Sequence, residues 1–115
     1  MTKAALSVFA FSVYLFVLGL VLLVVPNVLL GLFRFPETHE VWVRVVGMLV
    51  VILGYYYSTA ARHELTPFLR ATVFARFSVL VFFTAFVVIG LAPPVLILFG
   101  IIDAAGAIWT GLALR

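Results

Sequence analysis

The sequence predicts an all-α integral membrane protein, with four transmembrane helices in an antiparallel bundle and a short interfacial segment between the first and second. Three observations predict it. Of 115 residues, 67% are hydrophobic and only 10% charged, where a soluble domain is about half apolar and a quarter charged. A chain this short has too little interior to hide that much apolar surface from water. The polar residues also gather in short joints that cut the chain into four apolar runs, each near the twenty residues that cross a roughly 30 Å hydrocarbon core. We therefore read one membrane domain over residues 1–115, with helices at about 5–25, 38–61, 67–90 and 94–114.

The first run is uncharged from Ala4 to Phe33. It is too long for a signal peptide, and Val24-Val25-Pro26 is a poor cleavage site, so it reads as a retained span that stops at Pro26. Asn27 to Pro36 is apolar but short, broken by Gly31 and closed by Arg34 and Pro36. It should lie along the interface as a short helix or loop, with Leu29, Leu30, Phe33 and Phe35 in the headgroup boundary; a kinked extension of the first helix is the alternative. The second helix should begin near Glu37 or Thr38, placing Glu37 and Glu40 in its first turn, where carboxylates favour the positive end of the dipole. Trp42 anchors that end and Tyr55, Tyr56 and Tyr57 the other. Thr66 then Pro67 is an N-cap followed by a proline at the first helical position. The first turns of the third helix, with Arg70 and by extension Arg76, should sit at the headgroups. Ala92-Pro93-Pro94 is a tight turn, so the third and fourth helices must be antiparallel neighbours.

Lys3, Arg62, Arg70, Arg76 and Arg115 fall on one side, and Arg34 and Arg44 on the other with Glu37 and Glu40. By the positive-inside rule both termini are cytoplasmic. The net charge of +3 comes from scattered residues rather than a basic stripe, which excludes nucleic-acid binding. The absence of cysteine excludes thiolate catalysis and thiolate metal sites. His39 and His63 lie on opposite sides and cannot share a metal within one chain. No catalytic, metal or cofactor signature is present, and the chain leans away from being an enzyme.

Asp103 is the residue that asks for an explanation. A charge in mid-span costs roughly 2.5–3.5 kcal/mol on insertion scales. At 100° per residue Gly100, Asp103, Ala104, Ala107 and Gly111 share one face, and small residues at that spacing let helices approach closely. Gly100, Ala104, Ala107 and Gly111 are thus the predicted packing face, and Asp103 points toward protein. It lies about 14 Å from the outer end of its helix, Tyr14 about 16 Å from the same end of the first helix, and Thr84 at matching depth across the hairpin. Both hydroxyls can donate to a carboxylate. Arg44 and Arg76 are the two candidate counter-ions, each offset by about 9–12 Å along the axis, with Arg44 the easier reach. Asp103, Tyr14, Thr84 and Arg44 form the candidate ligand-binding set. Gly47 and Gly54, seven apart on the second helix, mark a close crossing.

The Pro-ended first span, the amphiphilic joint, Arg44-Val45-Val46-Gly47, Gly54 and Tyr55-Tyr56-Tyr57 together resemble small bacterial DoxX-like membrane proteins. The resemblance implies a four-helix membrane fold rather than a defined activity. The wider group is similar in architecture to EXPERA-type sterol isomerases and lipid-binding proteins, which use acids inside the bundle; here only Asp103 matches. Three functions compete: a structural or interaction protein that self-associates or binds a membrane partner; a pocket for a lipid-like or quinone-like hydrophobic small molecule around Asp103; and, ranking last, proton or ion conduction. The lipid bilayer is a partner under all three, and a homo-oligomer fits the first.

Overall fold

The computed structural model describes every residue from Met1 to Arg115. The fold is all-α, with α1 Lys3–Val24, α2 Pro26–Leu32, α3 Val41–Arg62, α4 Thr66–Val88 and α5 Leu96–Ala113. Four of these helices, all but α2, are long and apolar enough to cross a membrane. At 1.5 Å per residue α1 and α3 extend about 33 Å and α5 about 27 Å, close to the hydrocarbon thickness. The chain divides into two compact units, Phe9–Thr59 and Met1–Val8 with Ala60–Arg115.

In the first of these, α1 and α3 run antiparallel and meet through glycine. A Cβ on Gly47 would fall 2.6 Å from the backbone nitrogen of Leu23 and 2.8 Å from the carbonyl oxygen of Gly19; a Cβ on Gly19 would fall 2.6 Å from Val51. The two backbones touch, and only the absence of side chains permits it. Gly54 is looser, with its nearest neighbours at 3.3 Å. The Phe11 ring packs 5.3 Å from Tyr14 and 6.0 Å from Tyr57, one turn or so beyond.

The segment between α1 and α3 differs from the reading above in one way, the start of α3. It contains a short helix, α2, opened by Pro26 at its first position, where a missing N–H costs nothing. But α3 begins at Val41, so Glu37 and Glu40 precede the helix instead of filling its first turn. The cause is Asn27. Its Nδ2 donates to the Thr38 carbonyl at 2.9 Å, and its Oδ1 accepts from the Thr38 N–H at 3.0 Å. Those two bonds hold the Thr38 backbone outside any helix. Glu40 then donates its N–H to the Thr38 hydroxyl at 3.2 Å, and Glu37 pairs with His39 at the surface, 3.4 Å apart.

In the other unit α4 and α5 are the antiparallel pair. A Cβ on Gly100 would sit 3.0 Å from the Cα of Leu80, and one on Gly111 would sit 3.7 Å from Val73. The start of α1 is buried alongside, through Ala4, Ala5, Ser7 and Val8, with Ala60 and Ala61 from the end of α3. Glu64, in the α3–α4 joint, ties these ends together. Thr2 caps α1 by accepting the Ala5 N–H at 3.1 Å, and the Glu64 carboxylate accepts the Thr2 N–H at 2.6 Å. This is a capping box whose acid comes from 62 residues away rather than from the helix's own third position.

Three helices end in the same Schellman geometry. After α2 the bonds are Arg34 N–H to Gly31 and Phe35 N–H to Leu30; after α3, Glu64 to Ala61 and Leu65 to Ala60; after α4, Gly90 to Val87 and Leu91 to Phe86. The residue that turns left-handed is a glycine only after α4, where Gly90 has φ +83°. At the other two ends Arg34 (φ 59°) and Glu64 (φ 51°) take that conformation. Beyond Gly90, three successive bonds to the third residue back, from Leu96, Ile97 and Leu98, wind the chain tightly from Pro93 into α5. The α-helix therefore starts two residues later than Pro94, because this first turn is wound with bonds to the third residue back rather than the fourth.

Candidate functional site

The largest fully buried side chain in the protein is an arginine. Arg76 lies on α4 with 1% of its surface exposed. Its own helix supplies two acceptors one turn back: Nε donates to the Thr72 carbonyl at 3.1 Å, and Nη2 to the Thr72 hydroxyl at 3.0 Å. Nη2 also reaches α5, donating to the Thr110 hydroxyl at 2.8 Å. Thr72 and Thr110 are themselves buried.

Each hydroxyl has a single proton, which fixes the direction of the chain of bonds. Thr72 gives its proton to the Leu69 carbonyl at 2.7 Å, and Ser7 gives its own to the Ala4 carbonyl at 2.7 Å. The 2.6 Å contact between Ser7 and Thr110 is then a bond from Thr110 to Ser7. The result is a one-way sequence from guanidinium to Thr110, to Ser7, to the Ala4 carbonyl, joining α4, α5 and α1. Bonds polarised in one direction by a cation strengthen one another in a low-dielectric interior. The small side chains of Ala104 and Ala107 on α5, and Ala60 and Ala61 at the end of α3, are buried in the same unit and leave room for so large a group.

Asp103 belongs to this neighbourhood. It stands on the α5 face that carries Ala107 and Thr110, at helical spacings of four and seven, and it is half-buried. The Arg76 guanidinium is the charge that acts on its carboxylate. Of the two arginines that the sequence offers as counter-ions, Arg76 is the one whose charge bears on Asp103, while its hydrogen bonds go to Thr72 and Thr110. Its burial shows that the Arg76 side chain turns into the protein rather than outward. The sequence held a hint of this: Arg76 lies ten residues, about 15 Å, beyond Thr66 along α4. Thr72, Thr110 and Ser7 carry no such signal, because isolated hydroxyls in apolar helices usually bond only to their own backbone.

The other residues singled out from the sequence are placed as follows. Nη1 of Arg44 donates to the carbonyls of Leu23 and Val24, at 2.6 and 3.1 Å. It thus caps the end of α1, where the break at Pro26 leaves the last carbonyls without helical donors. Tyr14 packs on Phe11. Thr84 is half-buried and lines an open apolar cleft of about 570 Å³ with Leu80, Val81, Ala85, Val88 and Ile89. Because Leu80 lies against Gly100, Asp103 is level with the turn before Leu80, and Thr84 sits about two turns nearer the α4–α5 joint than the matching depth that simple counting suggests. Gly100, Ala104 and Ala107 are buried on α5, with Gly100 against α4, and Gly111 is half-buried beside Val73. No group of His, Asp and Glu side chains is arranged to hold a metal ion.

No protein-family model matches the chain, and no curated protein or solved structure is similar enough to count as a relative.

Proposed function

We propose that this is a structural or interaction protein of the bacterial inner membrane, with both termini cytoplasmic, which self-associates through α4. Kinship with DoxX-like proteins is part of the same proposal. The observation that carries it is the division of α4 into two faces. Leu69, Thr72 and Arg76 are turned into the protein. About 140° away, Ala71, Ala75, Ser78, Phe82 and Ala85 form a stripe on the opposite side at spacings of three and four. Ala71, Ala75, Phe82 and Ala85 are exposed. Small residues on an outward face gain little from lipid but allow a second helix to approach closely. The Arg76 bonds meanwhile fix the orientation of α4, so the stripe is presented rigidly. The Arg76 guanidinium, bonded through Nε and Nη2 to Thr72 on its own helix and to Thr110 on α5, serves as a lock between the two helices.

The absence of cysteine makes the test clean. Single-cysteine variants Ala71→Cys and Ala75→Cys in native membranes should cross-link to dimers on mild oxidation. Phe77→Cys, about 120° away from Ala71 on the helix, should not. Equal cross-linking at all three positions, or at none, rejects the α4 interface.

A second reading is supported by the open cleft beside Thr84 and by the half-buried carboxylate of Asp103 about two turns away. The cleft volume is within the range of about 300–1,000 Å³ typical of small-molecule sites. A lipid-like or quinone-like molecule lying along α4 could reach both. Native mass spectrometry should then detect a co-purifying hydrophobic ligand that Asp103→Leu removes; a clean apo mass for the unsubstituted protein rejects it.

A further inference from the structure

We propose that the basic end of α4 and α5 is a binding site for an anionic phospholipid, with the phosphate held between Arg70 and Arg115 and an acyl chain along the groove beside Gly111. The groove, about 290 Å³, is lined by Arg70, Val73, Phe74, Gly111, Leu114 and Arg115. Its composition is that of a lipid in negative: two guanidiniums at one end, then an apolar floor. The floor exists because Gly111 has no side chain and Val73 stands 3.7 Å from where a Cβ would be. Phe74, 71% exposed, forms an apolar wall.

Charge complementarity identifies the occupant. The end of the protein formed by the start of α1, the end of α3, the start of α4 and the end of α5 carries Lys3, Arg62, Arg70 and Arg115. Its one acidic side chain is Glu64, whose carboxylate is engaged by the Thr2 N–H. The side chains of Arg70 and Arg115 are exposed and make no ion pair within the chain. Two arginines without intrachain carboxylates, at the rim of an apolar groove on a membrane helix pair, suit a phosphodiester better than any neutral headgroup. The groove is small and open, suited to a length of acyl chain rather than to an enclosed small molecule.

The test is native mass spectrometry of the detergent-solubilised protein titrated with phosphatidylglycerol and phosphatidylcholine of identical acyl chains. A basic residue near an anionic headgroup is worth about fivefold in affinity, so two should give a preference of roughly 30-fold for phosphatidylglycerol. The double variant Arg70→Gln/Arg115→Gln should lose that preference. Gly111→Leu should weaken binding of both lipids by filling the groove, and Phe74→Ala, which touches only the exposed wall, gives the same readout with no added bulk. Three results overturn the proposal: a preference that survives the double arginine variant, groove variants that bind both lipids as the unsubstituted protein does, or glycerol phosphate, which has no acyl chain, competing as well as phosphatidylglycerol.

Discussion

Thr110→Val tests the Arg76 lock most directly. Valine keeps the shape of threonine and removes only the hydroxyl, so the packing around the side chain is preserved. Two bonds disappear: the 2.8 Å bond from Arg76 and the 2.6 Å bond to Ser7. Ser7 keeps its bond to the Ala4 carbonyl, so that side chain is not stranded. Arg76 keeps both contacts to Thr72 but loses the one that crosses to α5. Hydrogen bonds to charged groups are worth about 1.5–3 kcal/mol in water-soluble proteins. Polar bonds between membrane helices average about 0.6 and reach about 1.7 kcal/mol. An arginine that enters no lipid-facing alternative should sit at the upper end of the second range, so we expect a loss of about 2 kcal/mol. The assay is reversible unfolding in mixed micelles titrated with sodium dodecyl sulfate, followed by circular dichroism. Ser7→Ala, which removes a single neutral bond across the interface, should cost about 0.6 kcal/mol. A double-mutant cycle between Thr110→Val and Arg76→Met should show a coupling above 1 kcal/mol. If Thr110→Val unfolds within about 0.3 kcal/mol of the parent, or the coupling vanishes, the charge is not held in the way described.

Gly47→Ala should cost about 2–3 kcal/mol, since the new methyl meets backbone that cannot move aside, whereas Gly54→Ala should cost under about 1 kcal/mol; the same micelle titration separates them. Arg34→Gly relieves a left-handed arginine that makes no side-chain bond and should raise stability by about 1 kcal/mol, visible as a higher thermal midpoint. Arg44→Met strips the donors from the Leu23 and Val24 carbonyls and should lower stability by about 1–2 kcal/mol, while Arg44→Lys should recover part of it.

The fold was readable because hydrocarbon imposes one rule on every residue: helices must be apolar, about twenty residues long and joined by polar turns. That rule locates all four spans and makes Asp103 conspicuous. It says nothing about which hydroxyl meets which. The burial of Arg76 was missed because a surface arginine and a buried one look alike when only nearby residues are compared. The start of α3 was missed because Asn27, eleven residues away, dictates the backbone at Thr38. Gly19 passes unnoticed in the sequence because a lone glycine in an apolar helix means little until its partner Gly47 is found opposite. Each of these is a long-range pairing, and helical periodicity carries only local information.

The bond between Arg76 and Thr110 spans 34 residues of chain. A ribosome adding about 5–20 residues per second needs between about 2 and 7 seconds to make the second after the first. During that interval a nascent α4 carries its guanidinium with only Thr72 for company. The two bonds to Thr72 lie within α4 and can form at once, while the third, to Thr110, completes the set only when α5 has been made.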